Sequence, residues 1–354
     1  MTRVTITDVA LRAGVSKSTV SHVINQTRFV EESTKQKVLN AIRDLKYRPN
    51  SIARSLVSQR TGTAGLLISD VGNPFYHDVI RGVEEIALAN GYSIFLCNTV
   101  YDLERGMRFI YSLVDRWVDG ILFMSSNMNL EMLHEAHRNS IHSVVLDWGG
   151  TDLSDLASTI TIDFTAGIRA AIQHLVSLGH KRIAFAGGPT TMWTARLREQ
   201  IFLDAIENCQ PVVEGIVLPE GDLRIEGGYR AFRALAKLTP RPYAVIAAND
   251  LTALGIMWEA NNAGYHLPQD LSIIGLDDID LVSRVTPGLS TIALPRYEIG
   301  RLAMQELLAL IREPSHPKTN QTVPTHLILR DSTAMAPQGE GGHAHSNTAR
   351  MNLH

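Results

Sequence analysis

The sequence has only two cysteines, Cys97 and Cys209, among its 354 residues, and it has no Cys-x-x-Cys pair. Two isolated cysteines in a chain of this length predict no disulfide framework and favour a reducing compartment. No apolar run reaches the ~18–20 residues that a membrane helix needs, and the first residues are polar, unlike those of a secretory signal. These absences predict a soluble, cytoplasmic protein.

Signatures of catalysis are missing as well. The sequence contains no GxGxxG, GxxxxGK[ST] or GxSxG motif and no His/Cys cluster with metal-ligand spacing. Asp277 and Asp278 form a carboxylate pair, but the sequence places no base or nucleophile beside them. We therefore expect no catalytic residue, no metal site and no cofactor, while an enzyme on an α/β fold stays open as an alternative.

The net charge of −3 conceals two regions of opposite sign. Residues 1–60 hold eleven Lys/Arg and four Asp/Glu, a net charge of +7, and the remainder of the chain carries −10. A basic N-terminal head on an acidic body is typical of a protein that binds nucleic acid. The head would neutralise phosphates and release counterions, so its binding should depend on salt.

The N-terminal stretch TITDVALRAGVSKSTVSHVIN, residues 5–25, predicts two short helices joined by a tight turn at Gly14. Thr5 followed by Asp8 resembles a capping box, and Ser16 would cap the second helix. A third helix follows, and we expect Pro49 to end it. The predicted inward-facing residues are Ile6, Val9, Ala10, Ala13, Val20, Val23, Ile24, Val38, Ala41, Ile42 and Leu45.

The second helix carries a polar face of small or hydrogen-bonding residues: Lys17, Ser18, Ser21, His22 and Asn25. Such a face lets a helix enter the major groove, where Lys, His and Asn reach base edges and phosphates. A small helical bundle with a solvated polar face is the competing interpretation. The surplus of positive charge favours DNA binding.

From about residue 62 the pattern alternates between strands and helices. Strand-like runs occupy 64–69, 92–97, 120–125, 143–147, 158–162, 181–186, 214–218, 243–248 and 271–276. Repeated βα units with continuous apolar strands predict doubly wound parallel sheets covered on both faces. We expect two lobes, one of about 62–161 plus 292–323 and one of about 162–291 plus 324–336, with ligand bound in the cleft between them.

Two segments flank this body. Residues 49–61 link it to the helix-turn-helix of residues 1–48, and Ser51–Ser58 could form a helix too short to be stable alone. A merely flexible linker is the alternative. Residues 337–354 are rich in Gly, His and Asn and predict a disordered tail, in which His343, His345 and His354 would bind metal only adventitiously.

The segments TITDVALRAGVSKSTVSHVIN, YRPNSIARSL, DVGNPFYHDVIRGVEEIALANGY, VDGILFMSS, LGHKRIAFAGGP, AANDLTALG and LSIIGLDD resemble the lactose-repressor/galactose-repressor family of bacterial transcription regulators. The resemblance covers about residues 4–335, and the head, the hinge and the VVLDWG segment look closest to the purine-repressor branch. It implies a homodimeric, ligand-responsive repressor that binds a pseudo-palindromic operator. It also implies a periplasmic-binding-protein-like body.

The resemblance assigns DNA contacts by position. Thr5 and the helix that begins at Ser16 match the groove-reading element, in which Lys17, Ser18 and His22 would choose the operator. Phosphate contacts would come from Thr19, Ser21, Asn25 and Arg28. The segment ARSL matches a hinge helix that folds against its partner only on DNA. There Ala53 and Leu56 would enter the minor groove, and Asn50 and Arg54 would contact the backbone.

The resemblance also implies effector contacts at strand ends, from Arg196, Asn249 and Asp277, with Asp147 as a fourth polar candidate. Phe75 and either Trp148 or Trp193 could stack on an apolar ring face. For each residue the alternative is an ordinary surface contact or a helix cap. A shorter loop before Arg196, Leu223 in place of a common aromatic residue and Phe164 in place of a common polar residue depart from the purine-repressor pattern. Asn249-Asp250 matches the sugar-binding members, so we favour a sugar or sugar derivative over a purine co-repressor.

A solute-binding transport protein is a third class of function. Such a protein would need a secretory signal and would not carry a basic helix-turn-helix. The charge distribution and the head therefore favour a regulator over a transporter.

The predicted hinge gives a direct test. Replacing Leu56 by Ala removes the side chain that would open a central base step, so operator affinity should fall while effector affinity stays nearly unchanged. Fluorescence anisotropy with operator DNA and calorimetry with effector would measure the two affinities. Equal losses of both affinities would contradict the assignment of Leu56.

Overall fold

The computed structural model describes residues 4–25, 28–47, 60–125, 128–149, 152–313 and 315–337. The chain divides into two compact units, a head unit that ends at Gly62 and a body unit that begins at Thr63. The predicted hinge residues Asn50, Ala53, Arg54 and Leu56 and the tail histidines His343, His345 and His354 lie outside the described residues.

The head unit contains helices α1 (Ile6–Ala13), α2 (Lys17–Asn25) and α3 (Glu32–Asp44). Thr5 and Asp8 form the expected capping box, and Gly14 ends α1 with φ of 68°. The buried core consists of Val9, Ala10, Val20, Val23, Val38 and Ala41. The prediction that Pro49 ends the third helix is wrong, because α3 already ends at Asp44 and Lys46 turns away with φ of 49°.

The first lobe of the body is built on a parallel sheet whose strand order is β11-β5-β4-β3-β1-β2. Its strands are β1 (Thr63–Ile68), β2 (Ser93–Asn98), β3 (Gly120–Met124), β4 (His142–Leu146), β5 (Ser158–Asp163) and β11 (Asn320–Pro324). Helices α4 (Phe75–Ala89), α5 (Leu103–Asp115), α6 (Leu130–Arg138) and α11 (Arg296–Arg312) pack on it. The continuous apolar run of β3 is fully buried, as a strand covered on both faces requires.

The second lobe repeats this plan with the strand order β12-β10-β9-β8-β6-β7. The strands are β6 (Arg182–Ala186), β7 (Glu214–Val217), β8 (Ala244–Ala247), β9 (Ser272–Asp277), β10 (Ser290–Ala293) and β12 (His326–Ile328), of which β12 runs antiparallel to β10. Its helices are α7 (Phe164–Ser177), α8 (Trp193–Glu207), α9 (Ile225–Ala236) and α10 (Asp250–Asn262), and a 3₁₀ turn spans Asp280–Ser283.

The chain passes between the two lobes three times, after β5, after β10 and after β11. Consequently α11 and β11 complete the first lobe although they follow most of the second lobe in sequence. A helix-turn-helix followed by two doubly wound lobes confirms the predicted fold class. The short strands β10, β11 and β12 lie outside the strand-like runs that the sequence pattern predicted.

Helices α4 and α11 cross at two glycines. A Cβ atom on Gly82 would lie 2.1 Å from the Tyr297 carbonyl oxygen, and one on Gly300 would lie 2.1 Å from the Val79 carbonyl oxygen. Only glycine permits backbones to approach so closely. The two helices therefore form one rigid pair on the first lobe.

A search of the described residues for bilayer-spanning helices finds none of sufficient length and apolarity.

The close approach of α4 and α11 predicts that a side chain at the crossing lowers the stability of the body. Gly82→Ala should destabilise the body by about 1–3 kcal/mol, because backbone atoms cannot move aside as a side chain can. Gly106→Ala in α5 is the matched control, since its Cβ would meet the flexible end of Met132 at 2.5 Å. Urea unfolding should show a lower midpoint for Gly82→Ala alone, and equal midpoints for the two variants would refute a rigid crossing.

Candidate functional site

The head presents the polar face of α2 to solvent. Lys17, Ser18 and Asn25 are exposed, Arg28 after the helix is exposed, and His22 is partly buried. Val20 and Val23 point the opposite way into the head core. This surface combines cations with hydrogen-bonding groups on one face of the helix.

Several hydroxyl groups of this surface also hold the helix ends. The Ser16 hydroxyl accepts a hydrogen bond from the Thr19 amide at 3.1 Å and lies 2.7 Å from the Ser18 hydroxyl. The Thr5 amide and the Thr5 hydroxyl each donate to Asp8 Oδ2 at 2.8 Å, and these hydrogen bonds lower the pKa of Asp8. The Asn25 amide donates to Ser21 at 3.2 Å. The same residues that fix the turn therefore fix the orientation of the polar face.

In the body, polar side chains follow the carboxyl ends of the first-lobe strands. Ser69, Thr99, Ser125 and Asp147 come directly after β1, β2, β3 and β4. The Tyr76 hydroxyl donates to Ser69 at 3.0 Å, and Ser125 lies 3.3 Å from Ser69 and 3.2 Å from Thr99. Sequence reasoning selected only Asp147 here, although the same rule, a polar residue after an apolar strand, also points to the three hydroxyl residues.

Asp147 is an acid whose pKa is raised towards neutrality. Burial raises the pKa of Asp147 to about 7, against the hydrogen bond from the Ile162 amide and the charge of Arg198. The Ile162 amide donates to its Oδ1 at 2.7 Å. Asp147 has φ of 49°, an unfavourable backbone conformation that the neighbouring strand pairing maintains.

Asp277, at the end of β9, is 4 % exposed. Within the described part of the chain, no hydrogen-bond donor contacts its carboxyl group, and its φ of 123° is strained. Burial raises its pKa, and the charges of Arg198 and Arg296 oppose the rise. A buried acid that accepts no hydrogen bond from the protein is costly unless a ligand supplies a donor.

The arginine that faces these acids is Arg198, whereas the sequence analysis named Arg196. Arg198 Nη1 donates to the Ala248 carbonyl at 2.8 Å, and its Cζ lies 4.5 Å from the centre of the Phe164 ring. Its charge lowers the pKa of both Asp147 and Asp277. Its Nε is buried without a hydrogen bond among the described residues.

Arg196 instead lies on the exposed side of α8. It donates to the Thr190 carbonyl and stacks 5.8 Å from the centre of the Trp193 ring. Helical periodicity could have separated the two arginines, because Arg198 shares a stripe with the buried Ala195, Phe202 and Ala205 and Arg196 does not.

Asn249 serves as a helix cap. Its Oδ1 accepts from the Thr252 amide at 3.0 Å, and its Nδ2 donates to the Leu223 carbonyl at 2.8 Å. The neighbouring Asp250 is fully buried, accepting from the Ile279 amide at 2.8 Å and from Thr291 at 2.6 Å. The helix-cap alternative considered for Asn249 is thus what the structure contains, and both side chains stabilise the second lobe around Asp277.

The aromatic candidates occupy different environments. Phe75 is the first residue of α4 and packs edge-to-face on Tyr76, with ring centres 5.0 Å apart. Trp148 packs against the first-lobe core, as a structural residue would. Trp193 lies directly on Gly149 of the opposite lobe, where an added Cβ would be 1.6 Å from the indole. Trp193 thus closes one margin of the cleft.

An ion pair joins the two lobes at another edge of the cleft. Arg224 Nη2 lies 3.2 Å from Asp70 Oδ2, and its Cζ is 5.8 Å from the centre of the Tyr101 ring. Asp70 and Tyr101 belong to the first lobe and Arg224 to the second. None of the three was predicted from the sequence, because nothing in the local pattern pairs residues 154 positions apart.

Comparison with known proteins agrees with this arrangement. Residues 5–50 match the family described as bacterial regulatory proteins, lacI family, and residues 172–333 match a periplasmic binding protein-like domain. The ribose operon repressor of Escherichia coli (strain K12) is 39% identical over 318 residues, covering 88% of this chain and 94% of that protein. The HTH-type transcriptional repressor PurR of Photobacterium profundum is 35% identical over 329 residues, covering 93% of this chain and 98% of that protein.

Solved structures of similar fold are also regulators of this kind. The lac repressor dimer bound to operator and the anti-inducer ONPF superposes with a TM-score of 0.80 at 27% identity, covering 94% of this chain and all of that one. A LacI family regulator from Enterococcus faecium with bound ribose gives a TM-score of 0.69 at 27% identity, covering 78% of this chain and all of that one.

The raised pKa of Asp147 predicts how stability depends on pH. The folded protein keeps this proton up to about pH 7, whereas the unfolded chain releases it near pH 4, so the contribution is full below about pH 4 and is lost as pH rises through 7. Asp147→Asn should therefore reduce the loss of thermal stability between about pH 5 and pH 8. Calorimetric melting at several pH values would measure this, with the exposed Asp115→Asn as control. A pH slope unchanged from wild type would rule out a protonated Asp147.

Proposed function

This chain belongs to the lacI family of bacterial regulatory proteins, and from that membership we propose that it represses a carbohydrate-utilisation operon in response to a sugar. It is a ligand-responsive DNA-binding repressor with a helix-turn-helix head and a periplasmic-binding-protein-like body. Its relatives are transcriptional repressors, and we assign it no enzymatic reaction. A regulator of operator DNA acts in the cytoplasm.

The carboxyl group of Asp277 is the observation that supports a sugar. It is buried and has no protein donor within the described residues, while Asp147 and Arg198 bring a second acid and a planar donor group near it. Vicinal hydroxyls donate to carboxylates and accept from a guanidinium, so this set of groups suits a polyol ring. Phe75 would supply the apolar ring face that a sugar stacks on.

D-ribose is the first sugar to test. The ribose operon repressor is among the relatives of highest identity, and two similar Enterococcus regulators were solved with bound ribose. A purine co-repressor is the second candidate, because PurR proteins are 33–37% identical over nearly the whole chain.

On DNA, we propose a homodimer that places one head on each half of a pseudo-palindromic operator, with half-sites about one helical turn apart. Thr5 and the helix that begins at Ser16 would form the groove-reading element, in which Lys17, Ser18 and His22 choose the operator. Phosphate contacts would come from Thr19, Ser21, Asn25 and Arg28. The lac repressor offers the precedent of a dimer on its operator. The effector would change operator affinity by binding one arrangement of the lobes better than another.

The deciding experiment combines binding and gene control. Gel shifts on DNA upstream of the chain's own gene, with ribose, other sugars and purine bases added singly, should show retardation that ribose alters. Thermal shift should show stabilisation by the same compound. A response to purine bases alone would reject the sugar proposal, and the absence of specific retardation in every lane would reject operator binding.

The two neighbouring arginines give a matched test of the cleft. Arg198→Gln and Asp277→Asn should each weaken sugar binding at least about tenfold, because each leaves a buried polar partner unpaired, and operator affinity should persist. Arg196→Gln should bind the sugar like wild type. Titration calorimetry would measure the affinities, and a larger loss in Arg196→Gln than in Arg198→Gln would place the ligand outside this cleft.

A further inference from the structure

We infer that Arg296 carries the state of the Asp277 pocket to the first lobe, as a positioning residue that does not itself bind the effector. This inference rests on the proposed effector response, since it names how that response leaves the cleft. Arg296 is the first residue of α11 and directly follows the crossover from β10. It is 8 % exposed, so its charge must be compensated by protein groups.

The guanidinium of Arg296 joins both lobes. Nη2 lies 2.9 Å from Asp78 Oδ2, in the first turn of α4 on the first lobe. It also donates to the Asp278 carbonyl at 2.6 Å, on the second lobe. Asp280, a further acid of the second lobe, lies 3.7 Å away and its side chain is 81% exposed. The two short contacts therefore hold Arg296, and Asp280 is a peripheral neighbour.

The second-lobe end of this link, the Asp278 carbonyl, belongs to the residue that follows Asp277 in the chain. Asp277 and Asp278 both have positive φ, at 123° and 57°, so they form one strained turn. Arg330 binds Asp278 Oδ1 at 2.6 Å and fixes the far side of that turn. A ligand that pulls on the Asp277 carboxyl group must therefore shift the Asp278 carbonyl, which is the group that holds Arg296.

The first-lobe end of this link, at Asp78, belongs to a rigid pair of helices. Asp78 lies one turn from Phe75, and α4 is locked to α11 by the close approaches at Gly82 and Gly300. Further contacts continue along the pair, where Arg301 Nε lies 3.8 Å from Glu85 Oε1 and Arg81 stacks 5.0 Å from the centre of the Tyr297 ring. A displacement of Arg296 is therefore transmitted to two helices together.

The electrostatics support the same route. Burial raises the pKa of both Asp277 and Asp250, and the charge of Arg296 opposes the rise, so these acids and the arginine act on one another without a ligand. Asp78 is the partner that ties this charge to the first lobe. Removing Asp78 should break the transmission while leaving the pocket groups in place.

The test needs no effector. In the full chain, Asp277→Asn replaces the pocket carboxyl group by an amide, and hydrogen exchange of the peptide covering residues 75–83 reports the first turn of α4. We expect Asp277→Asn to change that exchange by about fivefold in the wild-type and Asp280→Asn backgrounds and by less than about twofold in the Asp78→Asn background. Asp280→Asn is the matched control, because it removes a carboxylate from the same arginine on the other lobe.

Equal responses in the Asp78→Asn and Asp280→Asn backgrounds would overturn the inference, and so would no response in wild type. Arg296→Lys should retain part of the coupling, because an ammonium can still bridge Asp78 and the Asp278 carbonyl. Complete loss of the coupling in this variant would argue for a packing role of Arg296.

A second experiment measures the change in operator affinity on adding D-ribose. This change should be lost in Asp78→Asn, while the affinity for ribose stays nearly unchanged. If wild type ignores ribose, the proposed sugar is wrong, and the exchange experiment still decides the role of Arg296.

Discussion

The polar cleft between the lobes depends on the positive charge of Arg198. Arg198 comes from the second lobe, yet its charge acts on Asp147 of the first lobe as well as on Asp277 of its own. Each acid loses hydration at its place in the cleft, and a nearby cation offsets part of that cost. The stacking of Arg198 on Phe164 and its bond to the Ala248 carbonyl fix that cation in place. The polar cleft between two apolar lobes depends on this compensation.

Several residues around the cleft have a strained backbone conformation. Tyr101, Asp147, Leu223 and Asp277 all have positive φ although none is glycine. Such conformations persist where surrounding contacts over-determine them, and they gather where a protein must present side chains in one direction. Each of these residues adjoins a strand end or a contact between the lobes, so the strain lies where ligand contacts would form.

The sequence predicted the fold well because the relevant information is local. Apolar runs such as 120–125 and the capping box at Thr5 and Asp8 specify their own elements without distant partners. The site was harder to predict. Asp277 and Asp147 followed from their places after buried strands, but choosing between Arg196 and Arg198 required the rotational position of α8. The pairing of Arg224 with Asp70, and of Arg296 with Asp78, joins distant parts of the chain and leaves no local pattern.

The threefold passage of the chain between the lobes has a consequence for synthesis. The first lobe lacks α11 and the edge strand β11 until residues 296–324 leave the ribosome, by which time nearly all of the second lobe has emerged. During translation, the apolar face of the first-lobe sheet that α11 covers stays exposed to solvent or to chaperones. Nascent chains that stop short of residue 296 would leave both lobes unfinished, so the cell would meet them as substrates for degradation.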